Sequence, residues 1–408
     1  MSEDCDILIA GGGLNGPALA LALAQGGLRV TVVDSRPAPA RAEAGFDGRA
    51  YALALASKRL LAVTGVWPRV DSFQPILKIT ASDGVAGQGA SPFWLGFDSA
   101  ELEEGPMGFM VEDRHLYAAF LSALRETTGV TLLSGDSVVA QEVGAQGVTV
   151  TLASGRRIAA RLLVGCDGRQ SGVAARAGIR RTGWGYGQTA LVTAIRHEKN
   201  HEGTAHQFFM PAGPLAILPL AGGHHSSIVW SESEAAAQAI QALGDRDYLA
   251  ALRPRFGDFL GEIALAGARF TYPLNLTLAT SFVGPRVALV GDAAHGVHPI
   301  AGQGLNLGLR DVGALAQVVI EAARRGEDFG SLTTLEQYQR WRRFDSTTLA
   351  LGMDTVNRVF SNGNPILRAG RDLGLGLVNA LPGLRRGFMR QAAGLTGELP
   401  KLLAGQRI

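Results

Sequence analysis

DILIAGGGLNGPALALALAQGGLRVTVVD, residues 6–34, is the stretch whose reading decides the fold. Asp6 to Ala10 is a short apolar run ended by glycines, the pattern of a parallel strand covered on both faces. Leu14 to Gln25 is apolar and alanine-rich and stops at Gly26-Gly27, which predicts a helix. Arg29 to Val33 supplies a second strand ending at Asp34, and the three pieces form a βαβ unit. Within it Gly11-Gly12-Gly13-Leu14-Asn15-Gly16 fits G-x-G-x-x-G between a strand and a helix. Gly11 permits the tight turn, Gly13 lets a pyrophosphate approach the backbone, and Gly16 allows close packing. The helix start, from Leu14, supplies amide donors and the positive end of the dipole. Asp34, at the end of the second strand, is placed to accept ribose hydroxyls. A dinucleotide is implied, with NAD and FAD both open at this point; the bland alternative is a glycine turn with a solvated aspartate.

Composition narrows the field from the other side. With 47% hydrophobic against 18% charged residues, the chain can bury enough apolar area to fold. Lys plus Arg number 38 against 36 Asp plus Glu, too even a balance for a protein held on nucleic acid by phosphate neutralisation. Its length of 408 residues favours more than one subdomain. The 54 glycines imply many tight turns or close backbone approaches. Cys5 and Cys166 make neither a disulfide framework nor a zinc site alone, no basic segment precedes the first apolar run, and no apolar stretch is long enough to cross a bilayer. A cytoplasmic setting is expected.

Further along, residues 73–110 read as irregular and Asp113 to Glu126 as a helix. Val130 to Leu133, Val138 to Val143 and Val148 to Leu152 read as short strands, and Arg161 to Gly165 as a return to the buried-strand pattern. Alternating runs over 188–233 and 267–278 predict an antiparallel sheet inserted between halves of the first domain. Arg286 to Val290 is another buried strand, followed by a long helix from about Gln303 to Arg325. The expected fold class is α/β: a Rossmann-like domain interrupted by a mixed or antiparallel β-sheet domain, with a C-terminal helical region. The boundaries are 1–72, 111–180 and 276–360 for the nucleotide-binding parts, 73–110 and 181–275 for the substrate domain, and 361–408 for the tail. From Pro365 onward seven cationic side chains stand against two carboxylates; a solvated helix face and contact with an anionic membrane are the two readings.

The second informative stretch is GDAAHGVHPIAGQGLNLGLRD, residues 291–311. It begins where a buried strand ends, so Asp292 projects on the usual ligand side of such sheets. Ala293 and Ala294 leave room for a bulky ligand. Pro299, Gly302 and Gly304 shape a turn feeding a helix start, which can stabilise negative charge on a reduced ring system such as isoalloxazine.

Taken with DGRAYALALAS at 47–57, VEDRHL at 111–116, GCDGRQS at 165–171 and YPL at 272–274, these motifs make the chain resemble, over nearly its whole length, the flavin-dependent aromatic hydroxylases of p-hydroxybenzoate hydroxylase fold. Within them it is most similar to the ubiquinone-biosynthesis hydroxylases. The resemblance implies an FAD-dependent monooxygenase that hydroxylates the aromatic ring of a polyprenyl phenol with NADPH or NADH and O2, through a C4a-hydroperoxyflavin. It implies that Gly11, Gly13, Leu14, Gly16 and Asp34 hold the ADP part of FAD, that Arg36 borders the adenine, and that Arg49 and Arg114 lie along the phosphate and ribityl parts. It further places Asp292 at the ribityl and pyrophosphate region, Gly302, Gly304, Leu305 and Asn306 at the pyrimidine edge, and Asp167 at both FAD and nicotinamide. One departure stands out: where the family usually has arginine three residues after the motif serine, this chain has Ala174, with Arg176 as the substitute.

His298 is the catalytic candidate, able to bond a substrate hydroxyl, with a purely structural role as its alternative. His295 reads as packing, His224-His225 as an exposed turn, and Cys166 as a small buried hydrophobe. The resemblance also implies peripheral contact with the inner face of the membrane and a complex with other ubiquinone-biosynthesis proteins. Two other readings remain: a hydroxylase of a small soluble phenol, or a flavin-binding assembly subunit without turnover.

Overall fold

The computed structural model describes residues 4–38, 45–85, 87, 89–297, 302–360 and 381–408. Its first sheet has six strands in the order Val283–Gly284, Val287–Leu289, Leu162–Gly165, Ile7–Ala10, Val30–Asp34, Val130–Ser134. All neighbours are parallel except the first pair, which is a hairpin. Ile7, Leu8 and Ile9 are fully buried in a core shared with the helix Asn15–Gln25 and with Val148, Val150 and Ile158 of a three-stranded antiparallel sheet, and this is why the strand reads as an unbroken apolar run. The helix Asn15–Gln25 packs beneath Gln303–Arg324 so closely that a Cβ on Gly26 would lie 2.5 Å from Ile320 Cγ1.

From Ile7–Ala10 the chain crosses to Val30–Asp34 on one side, while Leu162–Gly165 pairs on the other. Strand order therefore reverses there, and a crevice opens beyond the carboxyl ends of those two strands. The expected α/β class with an inserted mixed sheet holds.

The second sheet runs His295–Gly296, Phe270–Ala279, Arg181–His197, His225–Ser233, Gly213–Pro219, Thr204–Met210, Lys78–Val85, Gly89–Asp98, with Ile263–Leu265 also paired to Arg181–His197. It is antiparallel apart from Thr204–Met210 against Lys78–Val85. This corrects the reading of 73–110 as irregular: Gln74–Ile76, Lys78–Val85 and Gly89–Asp98 are strands. Their alternation, with Ile79 and Ala81 across from Phe97 and Leu95, is masked in the sequence by a register shift between Ser82 and Gly84 and by a proline that only an edge strand tolerates. The 29-residue helix Leu332–Phe360 was not singled out from the sequence. Of the tail, Pro382–Ala392 is a helix and 361–380 lie outside the described residues.

Candidate cofactor and substrate site

The crevice at the strand switch is a cavity of about 370 Å³ whose wall includes Ala10, Gly11, Gly13, Asp34, Arg36, Asp167 and Arg176. Each glycine of the fingerprint is distinguished by its surroundings. Gly11 has φ +110°, and a Cβ there would lie 2.2 Å from the Cys166 carbonyl oxygen. A Cβ on Gly16 would lie 1.9 Å from the Gly11 carbonyl oxygen, whereas one on Gly13 would meet nothing within 4 Å. Gly11 and Gly16 are thus glycine for the protein's own packing, and Gly13 faces open space, as a backbone that must admit a phosphate should.

Asp34 is buried at the end of its strand, its Oδ2 accepting from the Gly12 amide at 2.6 Å and its Oδ1 from the Arg36 amide at 2.7 Å. Those bonds orient the carboxylate toward the cavity while leaving lone pairs for ribose hydroxyls. Across the cavity, Asp167 accepts from the Val173 amide through Oδ2 at 3.0 Å, while its Oδ1 is buried without a hydrogen-bond partner. A buried carboxylate oxygen left unmatched in a cavity wall fits a site completed by a ligand's donors. Ser171 caps the helix Gly172–Arg176 by accepting from Ala174 N at 3.0 Å. The Arg176 side chain bonds Gln141 Oε1 at 3.3 Å, and the residue lines the same cavity. Arg176, two residues beyond Ala174, thus brings a cationic residue of this motif to the cavity wall. Cys166 is half-buried in this wall rather than fully buried, and burial, with Asp167 beside it, pushes its thiol well above the ordinary value, so it carries no nucleophilic thiolate.

The 291–311 stretch meets the fingerprint directly. Gly291 has φ +64°, and Cβ atoms on Gly291 and Gly308 would lie 2.2 and 2.4 Å from Asn15 Nδ2, so the turn and the long helix clamp the start of the first helix. Asp292 is half-exposed at this junction, its Oδ2 3.4 Å from Arg169 Nε, and Arg181 donates to its backbone carbonyl at 2.8 Å. The turn is locked from behind. Fully buried Asp311 accepts from the Gly291 amide at 3.0 Å, from His295 Nε2 at 2.6 Å and from Arg342 Nε at 2.8 Å. Burial opposes that carboxylate, but His295 and Arg342 outweigh it and hold its carboxyl below the usual range. His295 is therefore a positioning group, as its packing reading expects. Asp311 and Arg342 were missed: the aspartate ends the quoted motif, but its buried partner comes from a helix with no local signal. His298 lies outside the described residues.

Gly302, in the left-handed region at φ +64°, starts the helix Gln303–Arg324 against Ala52. Asn306 fixes that start with all of its amide: Oδ1 accepts from Ala54 N and Ser57 Oγ, and Nδ2 donates to Ala52 O and Gly302 O, at 2.7 to 3.0 Å. First-turn amides at Gly304 and Leu305 have no carbonyl partner inside the helix, and such helix starts favour negative charge. Arg49 and Arg114 line neither cavity. Arg49 is held by Asp47 at 2.7 Å and lies 3.6 Å from Asp113 Oδ2, and Arg114 by Glu112 at 2.7 Å.

The helix start and Ala52–Ala54 form one wall of a second cavity, about 210 Å³, lined also by Ile79, Phe97, Gln207, Phe209 and Leu218 of the large sheet and by Met107, just before the strand Gly108–Glu112. Among the described residues, no lining side chain carries a carboxylate, ammonium or guanidinium. His206 also borders it, but its ring packs on Phe259 at a centroid distance of 4.6 Å, and burial pushes its pKa down to about 4.

The profile of the family described as "FAD binding domain" matches residues 4–348. Ubiquinone hydroxylase UbiL of Rhodospirillum rubrum is 44% identical over 98% of this chain and 92% of its own length. The 3-demethoxyubiquinol 3-hydroxylase of Escherichia coli K12 is 36% identical over 97% of this chain and 100% of its own. Among solved structures, p-nitrophenol 4-monooxygenase PnpA from Pseudomonas putida superposes with a TM-score of 0.81 over 98% of this chain and 100% of its own, at 19% identity, a likeness of fold. The cavity at the strand switch, the glycine fingerprint that lines it and these relatives lead to one conclusion: the chain is a flavoprotein monooxygenase of the FAD-binding-domain family and belongs to its ubiquinone hydroxylase branch.

Proposed function

We propose that the protein hydroxylates the aromatic ring of a polyprenylated phenol on the route to ubiquinone, with NADPH or NADH as reductant and dioxygen as oxidant. The single observation that carries this reading is that, among the described residues, the wall of the 210 Å³ cavity beside the Gln303 helix start carries no charged side chain. A carboxylated soluble phenol would have to shed its hydration there with no cation to receive it; a neutral phenol with an isoprenoid tail gains from burial.

FAD, when bound, supplies the two-electron and oxygen chemistry that no side chain here provides. Asp34 would take ribose hydroxyls, the Gly13 backbone and Arg176 the pyrophosphate, and Asp292 the ribityl region. The first-turn amides at Gly304 and Leu305 would receive developing negative charge, at the start of a helix whose dipole favours it. Ile79, Phe97 and Phe209 keep water from the reacting ring.

No helix among the described residues is long and apolar enough to cross a membrane. The helix Pro382–Ala392 instead exposes Leu384 and Phe388, four residues apart, beside Arg386, and its Met389 packs with Met107, a residue of the apolar cavity's wall. Peripheral contact of a cytoplasmic enzyme with the lipid that holds a prenylated substrate suits this arrangement. The test is metabolite profiling of a strain lacking the gene: a prenylated phenol one hydroxyl short of the next intermediate accumulates, and the gene restores ubiquinone. Unchanged ubiquinone in that strain contradicts the reading.

A further inference from the structure

In the apolar cavity one polar side chain has no evident duty. Along Thr204–Met210 the pleat sends Ala205, Gln207 and Phe209 to the cavity, which His206, its ring packed on Phe259, still borders, and Phe208 and Met210 to the opposite face. There Phe208 and Met210 join the cluster containing Trp230, Tyr248 and Phe256. Gln207 stands in register with two small residues, Ala81 on one neighbouring strand and Ala216 on the other. Its Nε2 is buried and has no hydrogen-bond partner. Of the two other amides on this wall, Asn306 is fully used within the protein and Gln303 already has a partner.

A buried donor without an acceptor destabilises a fold, and an aliphatic residue of the same size would fill the place without that cost. We propose that Gln207 is a positioning residue: its Nε2 donates to an oxygen substituent on the substrate ring, fixing how the ring turns in an otherwise featureless apolar slot and hence which carbon is hydroxylated. This deepens the proposed reading and rests on it. A wall of Ile79, Ala81, Phe97 and Phe209 discriminates ring orientations only by shape, whereas a single hydrogen bond at a fixed point sets the rotation of a planar ring.

The test uses the purified FAD-loaded protein and its Gln207→Leu and Gln207→Met variants. Flavin fluorescence is titrated with a short-chain prenylphenol and with the matching prenylbenzene lacking the hydroxyl. The wild type is expected to bind the phenol about tenfold more tightly than the deoxygenated analogue, and the variants to bind both alike, the loss being one neutral hydrogen bond. In turnover the variants are expected to raise KM for the phenol, to release more hydrogen peroxide per NAD(P)H, and to spread the product over more than one ring carbon. Flavin content stays unchanged and Tm is equal or higher. A wild type that does not distinguish the two ligands, variants that keep the discrimination and a single product, or a lower Tm in both variants with turnover intact would each overturn the assignment. A wild type that discriminates in binding but hydroxylates no prenylated phenol would instead count against the proposed function and leave Gln207 as a ligand-binding residue.

Discussion

The carbonyl oxygen of Gly11 lies 1.9 Å from the point a Cβ on Gly16 would occupy, while the same construction at Gly13, between them, meets nothing within 4 Å. Two glycines of one motif are thus constrained by the fold and one by what the fold holds. Gly16→Ala is expected to destabilise the apoprotein by about 3 kcal/mol, since only backbone can yield. Gly13→Val leaves apoprotein stability within about 0.5 kcal/mol, yet weakens FAD binding at least about tenfold. Thermal denaturation of both apoproteins, with flavin content after reconstitution, checks the contrast; full FAD occupancy in Gly13→Val would contradict the placement of the pyrophosphate.

Asp292 supports little of the fold itself, as its side chain makes one long contact to Arg169 at 3.4 Å with both partners well exposed. Asp292→Ala should therefore change stability by less than about 0.5 kcal/mol while depleting bound FAD. An unchanged absorption spectrum of the purified variant would remove this residue from the cofactor site.

Behind it, Asp311→Ala leaves Arg342 and His295 buried without their acceptor. A loss of about 3 to 5 kcal/mol is expected by chemical denaturation, with weaker flavin retention because the Gly291 turn is released. The pH sign follows from its lowered pKa. Asp311 stabilises the fold fully above the unfolded aspartate value near 4, and that contribution is lost as pH falls through the folded value beneath it.

The histidines of the substrate sheet act at milder pH. His197, His201 and His206 are held neutral mainly by burial, His206 down to about 4. The unfolded chain binds these protons first, so stability is level above about pH 6.5 and falls as pH drops toward 4. His206→Phe should flatten that slope by roughly 1 to 3 kcal/mol across the window; denaturation curves at pH 7 and pH 4.5 measure it, and an equal slope in the variant would contradict a neutral buried His206.

The first βαβ unit was legible because its signals are local: a four-residue apolar strand, glycines at fixed offsets and an acid at the next strand end. GDAAHGVHPIAGQGLNLGLRD was legible for the same reason, and Asp34, Asp167 and Gly13 do converge on one cavity. The strands within 73–110 were hidden because a bulge and an edge proline break the alternation that marks a strand. Asp311 and Arg342 could not be paired from sequence, since a buried ion pair between two helices leaves no periodicity. Gln207 is silent for a related reason: an isolated glutamine in a strand looks solvent-facing until the sheet is folded onto its partner.

The account turns on a flavoprotein placing one atom of dioxygen on a neutral, tailed phenol. Purified protein reconstituted with FAD is given NAD(P)H, isotopically labelled dioxygen and a prenylphenol, and the product is read by mass spectrometry. The account predicts a single ring hydroxyl bearing label from dioxygen; a protein that binds no flavin, or a hydroxyl whose oxygen comes from water, would contradict it.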